Sequence, residues 1–193
     1  MTVRSGYFNS SNGDRVYDAD DFAGFYDGLI IDGVYSTVGN RFYVSAKTGM
    51  YVTIDTGRAW FDHTWTYNDQ LLTLMVEPAN TVYDRIDAVV IEVNKEQRQN
   101  YIKIVQGTPA QTPVRPTLSK TDKVIQYALA YIQVKVNVVS ITKNDITNVV
   151  GENETPLVTT LNMNNLPVMQ YSTTDIEAGT TPLYTGTLYL VYE

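Results

Sequence analysis

This 193-residue sequence contains one histidine and no cysteine, so the usual bases and nucleophiles of enzymes are scarce. Its one histidine, His63, follows Asp62 between Trp60 and Trp65. An aspartate beside two tryptophans could act in a glycoside hydrolase, because such enzymes place paired carboxylates next to a bound sugar. Seven aspartates precede residue 56, so many carboxylate pairs are possible. A hydrolase that acts through Asp62 is therefore one open hypothesis.

No recognisable catalytic or metal motif supports that hypothesis. The sequence lacks a nucleophile elbow that would complete a triad with His63, and we expect this histidine to lie half-exposed in a strand. It has no cysteine, which excludes thiol nucleophiles and cysteine–zinc sites. The segment NGDRVYDADD (12–21) lacks the glycine and glutamate positions of an EF-hand, and GTPAQTP (107–113) lacks the end of a phosphate loop. We predict that the protein is not an enzyme and holds no metal or cofactor.

The same tryptophans fit a different use, a noncatalytic surface on which sugar rings stack. Tyr51, Trp60, Trp65 and Tyr67 are the candidate residues for such a surface. Strand propensity alone also accounts for many of the 15 tyrosines. A carbohydrate-binding module that recognises a host cell-surface glycan is thus the alternative function.

Charge and hydropathy exclude other classes. The formal net charge is −7 and basic residues do not cluster, which argues against a nucleic-acid partner. No apolar run approaches the roughly 18–20 residues that span a bilayer, so we predict no membrane insertion. The N-terminal residues lack the apolar core of a signal peptide, and we expect synthesis in a bacterial cytoplasm.

The segment from residue 5 to residue 35 contains six aspartates and seven aromatic residues. Within it, Phe22, Phe25, Tyr26 and Leu29 follow helical spacing and predict one apolar helix face. Asp18 or Asp20 would cap the start of this helix. We therefore expect the aspartates to cap and turn a short helix, and the aromatic residues to dock it onto a sheet.

Most of the remaining sequence predicts strands. The patterns favour hairpins over 50–61 and 85–107, with turns at KTG (47–49), DTG (55–57) and KEQRQ (95–99). The segments rich in β-branched and aromatic residues are 41–46, 50–55, 58–65, 71–76, 85–94, 100–107 and 183–193.

Two segments are less regular. The first half of 121–142 is compatible with a helix and the second half alternates as a strand. Three prolines in 108–117 predict an ordered crossing loop. We predict a mainly β protein with one or two short helices. It has an antiparallel sandwich or barrel-like main domain over 1–150 and a small β-rich C-terminal region over 151–193.

Five segments in one order resemble tail and baseplate structural proteins of phages and prophages of Gram-positive bacteria. The resemblance covers roughly residues 5–140, and the ending is similar to that of small phage structural proteins. The segments are SGYFNSSNGDRVYDADDFAGFYDGLIIDGV (5–34), GMYVTIDTGRAWFDHTWTYND (49–69), YDRIDAVVIEVN (83–94), RQNYIKIVQGTPA (98–110) and TTDIEAGTTPLYTGTLYLVYE (173–193).

The resemblance implies a virion component near the tail tip, an upper-baseplate or fibre-attachment protein. Such proteins are usually homo-oligomers, commonly trimers, that contact other tail proteins, and the family has no catalytic residue to carry over. Larger relatives continue into coiled coils or receptor-binding heads, so this shorter sequence favours an adaptor. The apolar residues of the ending that we expect between subunits are Leu183, Tyr184, Leu188, Leu190 and Tyr192.

Overall fold

A computed structural model describes residues 6, 8–13, 16–26, 29–159, 169–172 and 188–191, and it confirms a mainly β fold. The elements are α1 (Ala19–Tyr26), β1 (Gly33–Gly39), β2 (Val44–Lys47), β3 (Tyr51–Ile54), β4 (Gly57–Phe61), β5 (Thr64–Asn68), β6 (Leu72–Met75), β7 (Arg85–Asn94), β8 (Gln99–Val105), β9 (Val124–Val134), a 3₁₀ turn (Lys143–Asp145), β10 (Ile146–Asn148), β11 (Met169–Ser172) and β12 (Leu188–Val191).

Three antiparallel sheets make up the body of the protein. The largest has the strand order β10-β9-β7-β8, and two three-stranded sheets have the orders β1-β4-β5 and β2-β3-β6. A separate pair, β11 and β12, is parallel. The sheets of the described residues are open, so of the two predicted architectures the sandwich-like one applies and the barrel does not.

The core lies between the inner faces of the three sheets. Phe61 of β4, Val52 of β3 and Leu129 of β9 belong to one cluster of fully buried apolar side chains. The opposite face of β7 and β9 is also covered, by a second cluster that includes Val90 and Tyr131.

Because β9 is buried on both faces, its sequence is almost continuously apolar and resembles that of a buried helix. The helix considered for the first half of 121–142 is wrong, since this segment is the long strand β9.

The predicted hairpin over residues 50–61 is also wrong. Strand β3 pairs with β2 and β6, whereas β4 pairs with β1 and β5, so residues 55–57 connect two different sheets. The predicted strand 58–65 is in fact two strands that turn at Asp62 and His63. The predicted hairpin over 85–107 is confirmed, with β7 and β8 paired along seven residues of each strand.

Helix α1 is capped as expected but is docked only in part. The amide of Asp21 donates to Oδ1 of Asp18 at 3.0 Å, and the amide of Asp18 donates to Oδ2 of Asp21 at 3.2 Å. This reciprocal pair satisfies amide groups at the helix start. The expected docking is observed for Tyr26, whose ring lies 5.2 Å from that of Trp60. It is wrong for Phe22 and Phe25, which are 57% and 54% exposed, and Leu29 lies beyond the end of the helix at Tyr26.

The proline-rich segment 108–117 is held by contacts to distant residues. The Arg115 guanidinium lies 4.0 Å from the centre of the Tyr131 ring and donates to Glu154 at 2.5 Å. Burial, together with Glu154, raises the pKa of Tyr131 to about 12, so its hydroxyl stays protonated and donates to Glu154 at 2.7 Å. These contacts attach the loop to the main sheet.

The predicted division of the chain into a main domain over 1–150 and a C-terminal region over 151–193 stays a prediction.

A buried carboxylate in the main sheet makes stability depend on pH. Glu92 of β7 is 4% exposed, lies 2.5 Å from Nζ of Lys103 and accepts a 2.7 Å hydrogen bond from Gln126. Burial alone would raise the pKa of Glu92, but Lys103 and Gln126 outweigh it and the pKa lies below its ordinary value. A carboxylate with a lowered folded-state pKa stabilises the protein above its unfolded pKa of about 4.3, and this contribution is lost as the pH falls through the folded-state pKa.

We therefore expect Glu92→Gln to lower the free energy of unfolding at pH 7 more than it does at pH 3.5. Urea unfolding of both proteins at the two pH values measures this difference. A difference that stays constant with pH would show that the ionised carboxylate does not stabilise the fold.

Candidate functional site

A cleft of about 720 Å³ lies where two hairpin turns meet the start of α1. This volume is within the range of roughly 300–1,000 Å³ that is common for small-molecule sites. The residues that line it come from α1, from the β4–β5 turn and from the β7–β8 hairpin; they are Ala19, Asp20, Asp62, His63, Thr64, Trp65, Val93, Asn94, Lys95, Arg98, Gln99 and Asn100.

The β4–β5 turn places Asp62 and His63 at the cleft in an unusual backbone conformation. Their φ angles are +48° and +64°, in the left-handed region that two-residue hairpin turns require and that asparagine and glycine normally occupy. The amide of Asp62 donates to Oδ2 of Asp32 at 3.1 Å, which helps to fix the turn. His63 is exposed and lies in the turn, so its expected place within a strand is wrong.

The β7–β8 hairpin forms the facing wall of the cleft. Lys95 Nζ lies 2.8 Å from Oδ2 of Asp62, an oxygen that is buried and makes no hydrogen bond within the described residues. The contact is therefore an ion pair without hydrogen-bond geometry. Arg98 follows in the same turn with a φ of +52°. The cleft thus carries two basic side chains on one wall.

Asn100 joins the two walls. Its side-chain Nδ2 lies within hydrogen-bond distance of Oγ1 of Thr64 at 2.9 Å, O of Trp65 at 3.2 Å and Oγ1 of Thr66 at 2.9 Å. These bonds link the first residues of β8 to β5, so the position of Trp65 is fixed relative to the cleft.

Beside the cleft, β4 and β5 present an aromatic surface, which we call the aromatic face and define as Trp60, Trp65 and Tyr67. Trp60 is directly opposite Trp65 and Arg58 is opposite Tyr67, so the four side chains share one side of the sheet. The exposed fractions of Trp65 and Tyr67 are 59% and 56%. Tyr51, predicted with this group, lies in β3 of another sheet and does not belong to the aromatic face.

Behind the β4–β5 turn lies a group of ionisable side chains around Tyr127. Its hydroxyl donates to Asp32 at 3.2 Å, and its ring stacks on Phe61 with 3.9 Å between the ring centres. Burial raises the pKa of Tyr127 above its ordinary value, and the charge of Asp32 raises it further. Lys120 Nζ lies 3.9 Å from the centre of the same ring, and burial lowers its pKa. The carboxylate of Asp32 therefore accepts hydrogen bonds from both the β4–β5 turn and the hydroxyl of Tyr127.

Sequence and structure overlap only in part at this site. Trp60, Trp65 and Tyr67 of the predicted stacking group share one side of β4 and β5, and Asp62 lies in the turn that joins these strands. Lys95, Arg98 and Asn100 were interpreted only as turn and strand residues. The one available signal was the polar composition of 95–99. Of the predicted interface residues, Leu188 and Leu190 lie in β12, and Leu183, Tyr184 and Tyr192 lie outside the described residues.

The described residues show neither a metal-binding cluster nor a membrane-spanning helix. They contain no group of three or more histidine, aspartate or glutamate side chains placed to hold a metal ion. Among them, no helix has the length and apolar character that crossing a membrane demands. In comparisons with known proteins, no family model, curated protein or solved structure matches this sequence.

Proposed function

We propose that the protein is a structural component of a phage tail or baseplate that acts as an oligomeric adaptor or fibre-attachment part within the virion. The proposal is supported by the five segments that resemble such proteins and by one structural observation, the exposed apolar side of α1. It makes and breaks no covalent bond and works by association with copies of itself and with other tail proteins.

The exposed side of α1 carries this proposal. Phe22, Phe25, Tyr26 and Leu29 are 57%, 54%, 43% and 41% exposed. Phe22, Phe25 and Tyr26 lie at helical spacing on one side of α1, and Leu29 lies in the turn after the helix ends at Tyr26. Large apolar side chains that are grouped and exposed on a surface are typical of an interaction site. We call these four residues the helix stripe.

The helix stripe is held in place, so it can serve as a preformed docking surface. The ring of Tyr26 lies 5.2 Å from that of Trp60, which anchors the end of α1 to the β1-β4-β5 sheet. The reciprocal hydrogen bonds of Asp18 and Asp21 fix its start. Full burial of an exposed side chain of this size contributes about 1.5–3 kcal/mol, and these side chains are about half exposed, so each contributes about half of that value to association.

We expect the double substitution Phe22→Ser with Phe25→Ser to weaken self-association at least about tenfold, because each removes apolar area from the helix stripe. Sedimentation velocity over a range of micromolar concentrations measures the distribution of masses. Far-UV circular dichroism verifies that the variant keeps its β structure.

The matched control is Tyr43→Ser with Tyr83→Ser, which removes two aromatic residues of similar exposure, 52% and 46%, that lie outside the helix stripe. The control should keep the mass distribution of the unmodified protein. If the helix-stripe variant and the control behave alike, the helix stripe is not the association surface.

A further inference from the structure

We infer that the cleft and the aromatic face together form a binding site for a neutral oligosaccharide. This site goes beyond the assembly role, since it is built from the β4–β5 and β7–β8 hairpins and the start of α1, and none of its residues belongs to the helix stripe. The cleft would hold the end of the glycan, and the aromatic face would receive the sugar units that follow.

The lining of the cleft matches the hydrogen-bonding character of a sugar. Hydroxyl groups both donate and accept, and the lining includes the carboxylate of Asp20 as an acceptor and the guanidinium of Arg98 as a donor. Asp62 and Lys95 pair with each other, and Nδ2 of Asn100 joins the two hairpins. Its formal charge is balanced, because two carboxylates, Asp20 and Asp62, and two cations, Lys95 and Arg98, line it. A ligand with a strong net charge would be repelled by the side chains in the cleft that carry the same charge. This repulsion favours a neutral ligand.

The aromatic face supplies the apolar contact that a sugar ring requires. Trp65 belongs to both the cleft lining and the aromatic face, so it connects the two parts of the site. Trp65 and Tyr67 are two residues apart on one side of β5, a spacing of about 7 Å along the strand. Successive pyranose units of one extended chain can therefore contact successive aromatic rings.

The backbone at the cleft rim is held in defined turns, which keep the side chains around the cleft in place. Asp62, His63 and Arg98 all have positive φ angles and all line this one cleft. Asp62 and His63 adopt this conformation because their two-residue hairpin turn requires it, and aspartate and histidine tolerate it better than most residues. Here Asp32 holds the first turn, and Asn100 fixes the two hairpins relative to each other.

Isothermal titration of the full chain with neutral tetrasaccharides of glucose, galactose, rhamnose and N-acetylglucosamine tests this site. We expect at least one of them to bind and Trp65→Ala to weaken that binding at least about tenfold, since the stacking surface is lost. Arg98→Asn should weaken it severalfold; asparagine tolerates the positive φ angle but is too short to reach the ligand.

Tyr51→Ala is the matched control, because Tyr51 is an exposed tyrosine in a different sheet, and it should leave the binding unchanged. Poly(glycerol phosphate) serves as the anionic probe. Three results would each overturn the inference: no binding of any neutral tetrasaccharide at millimolar concentration, binding of the anionic polymer alone, or equal effects of Trp65→Ala and Tyr51→Ala. None of these results bears on the mass of the assembly, so the two proposals fail separately.

Discussion

Replacing Arg85 by methionine is expected to destabilise the protein by about 3–5 kcal/mol, because it leaves the Asp87 carboxylate buried without its cation. The Arg85 and Asp87 side chains are 1% and 0% exposed. Arg85 Nε donates to both oxygens of Asp87 at 2.9 and 3.2 Å, and its Nη atoms donate to O of Pro78 at 2.8 Å and O of Glu77 at 2.5 Å. Methionine replaces none of these bonds.

Urea unfolding followed by tryptophan fluorescence measures this loss. The matched control is Lys123→Met, which removes the cation of an exposed ion pair, since Lys123 and its partner Glu96 are 70% and 58% exposed. Exposed pairs contribute less than about 1 kcal/mol. A loss at Arg85 as small as the loss at Lys123 would contradict the role that we assign to the buried pair.

Substituting Gly107 by alanine is the second change with a large expected effect, a loss of about 3 kcal/mol in the free energy of unfolding. A Cβ atom at this position would lie 2.0 Å from the carbonyl oxygen of Ile86, closer than any real contact. The amide of Gly107 also donates to Oδ1 of Asp87 at 2.9 Å, so the chain cannot move away without losing that bond. The substitution therefore strains the backbone where the loop leaves β8.

Gly24→Ala is the control for this substitution and should have the opposite sign. Gly24 lies in α1, and a Cβ atom there would meet nothing within 4 Å. Alanine in a helix is favoured over glycine by roughly 0.5–1 kcal/mol. Thermal unfolding of both variants distinguishes steric strain from a general cost of replacing glycine. If Gly107→Ala destabilises the protein no more than Gly24→Ala does, the Cβ atom at position 107 does not collide with Ile86.

The parts of the fold that local patterns specify could be predicted from the sequence. The β7–β8 hairpin follows from two apolar strands around the polar turn 95–99, and the start of α1 follows from Asp18. Strand β9 was ambiguous because burial on both faces removes its alternation. The turn between β4 and β5 was missed because Asp62 is followed by a histidine and not by the glycine that usually completes a two-residue hairpin turn.

The candidate site depends on long-range contacts, and these limit what the sequence can predict. Asp62, Lys95 and Asp20 belong to three segments that meet only after the sheets have packed. Trp60 and Trp65 were recognisable as a pair because four residues separate them in the sequence, but the hairpin that places them opposite each other was not predicted. The assignment of Tyr51 to the same group failed for the opposite reason, since β3 and β4 are consecutive in sequence but lie in different sheets.

The exposure of the helix stripe also cannot be predicted from the local sequence pattern. Helical spacing of Phe22, Phe25 and Leu29 predicts an apolar side, but the same spacing serves a helix that packs on its own sheet and one that packs on another subunit. The structure leaves this side of α1 exposed within one copy of the chain. The aromatic residues that were predicted to pack on the sheet of the same chain are therefore proposed to contact another subunit.

The mass of the unmodified protein in solution tests the central claim, association between copies, most directly. Sedimentation equilibrium at micromolar concentration should give a stable species several times the 21.7 kDa chain mass, and we expect a trimer. A single species at the mass of one chain across that concentration range would contradict the account.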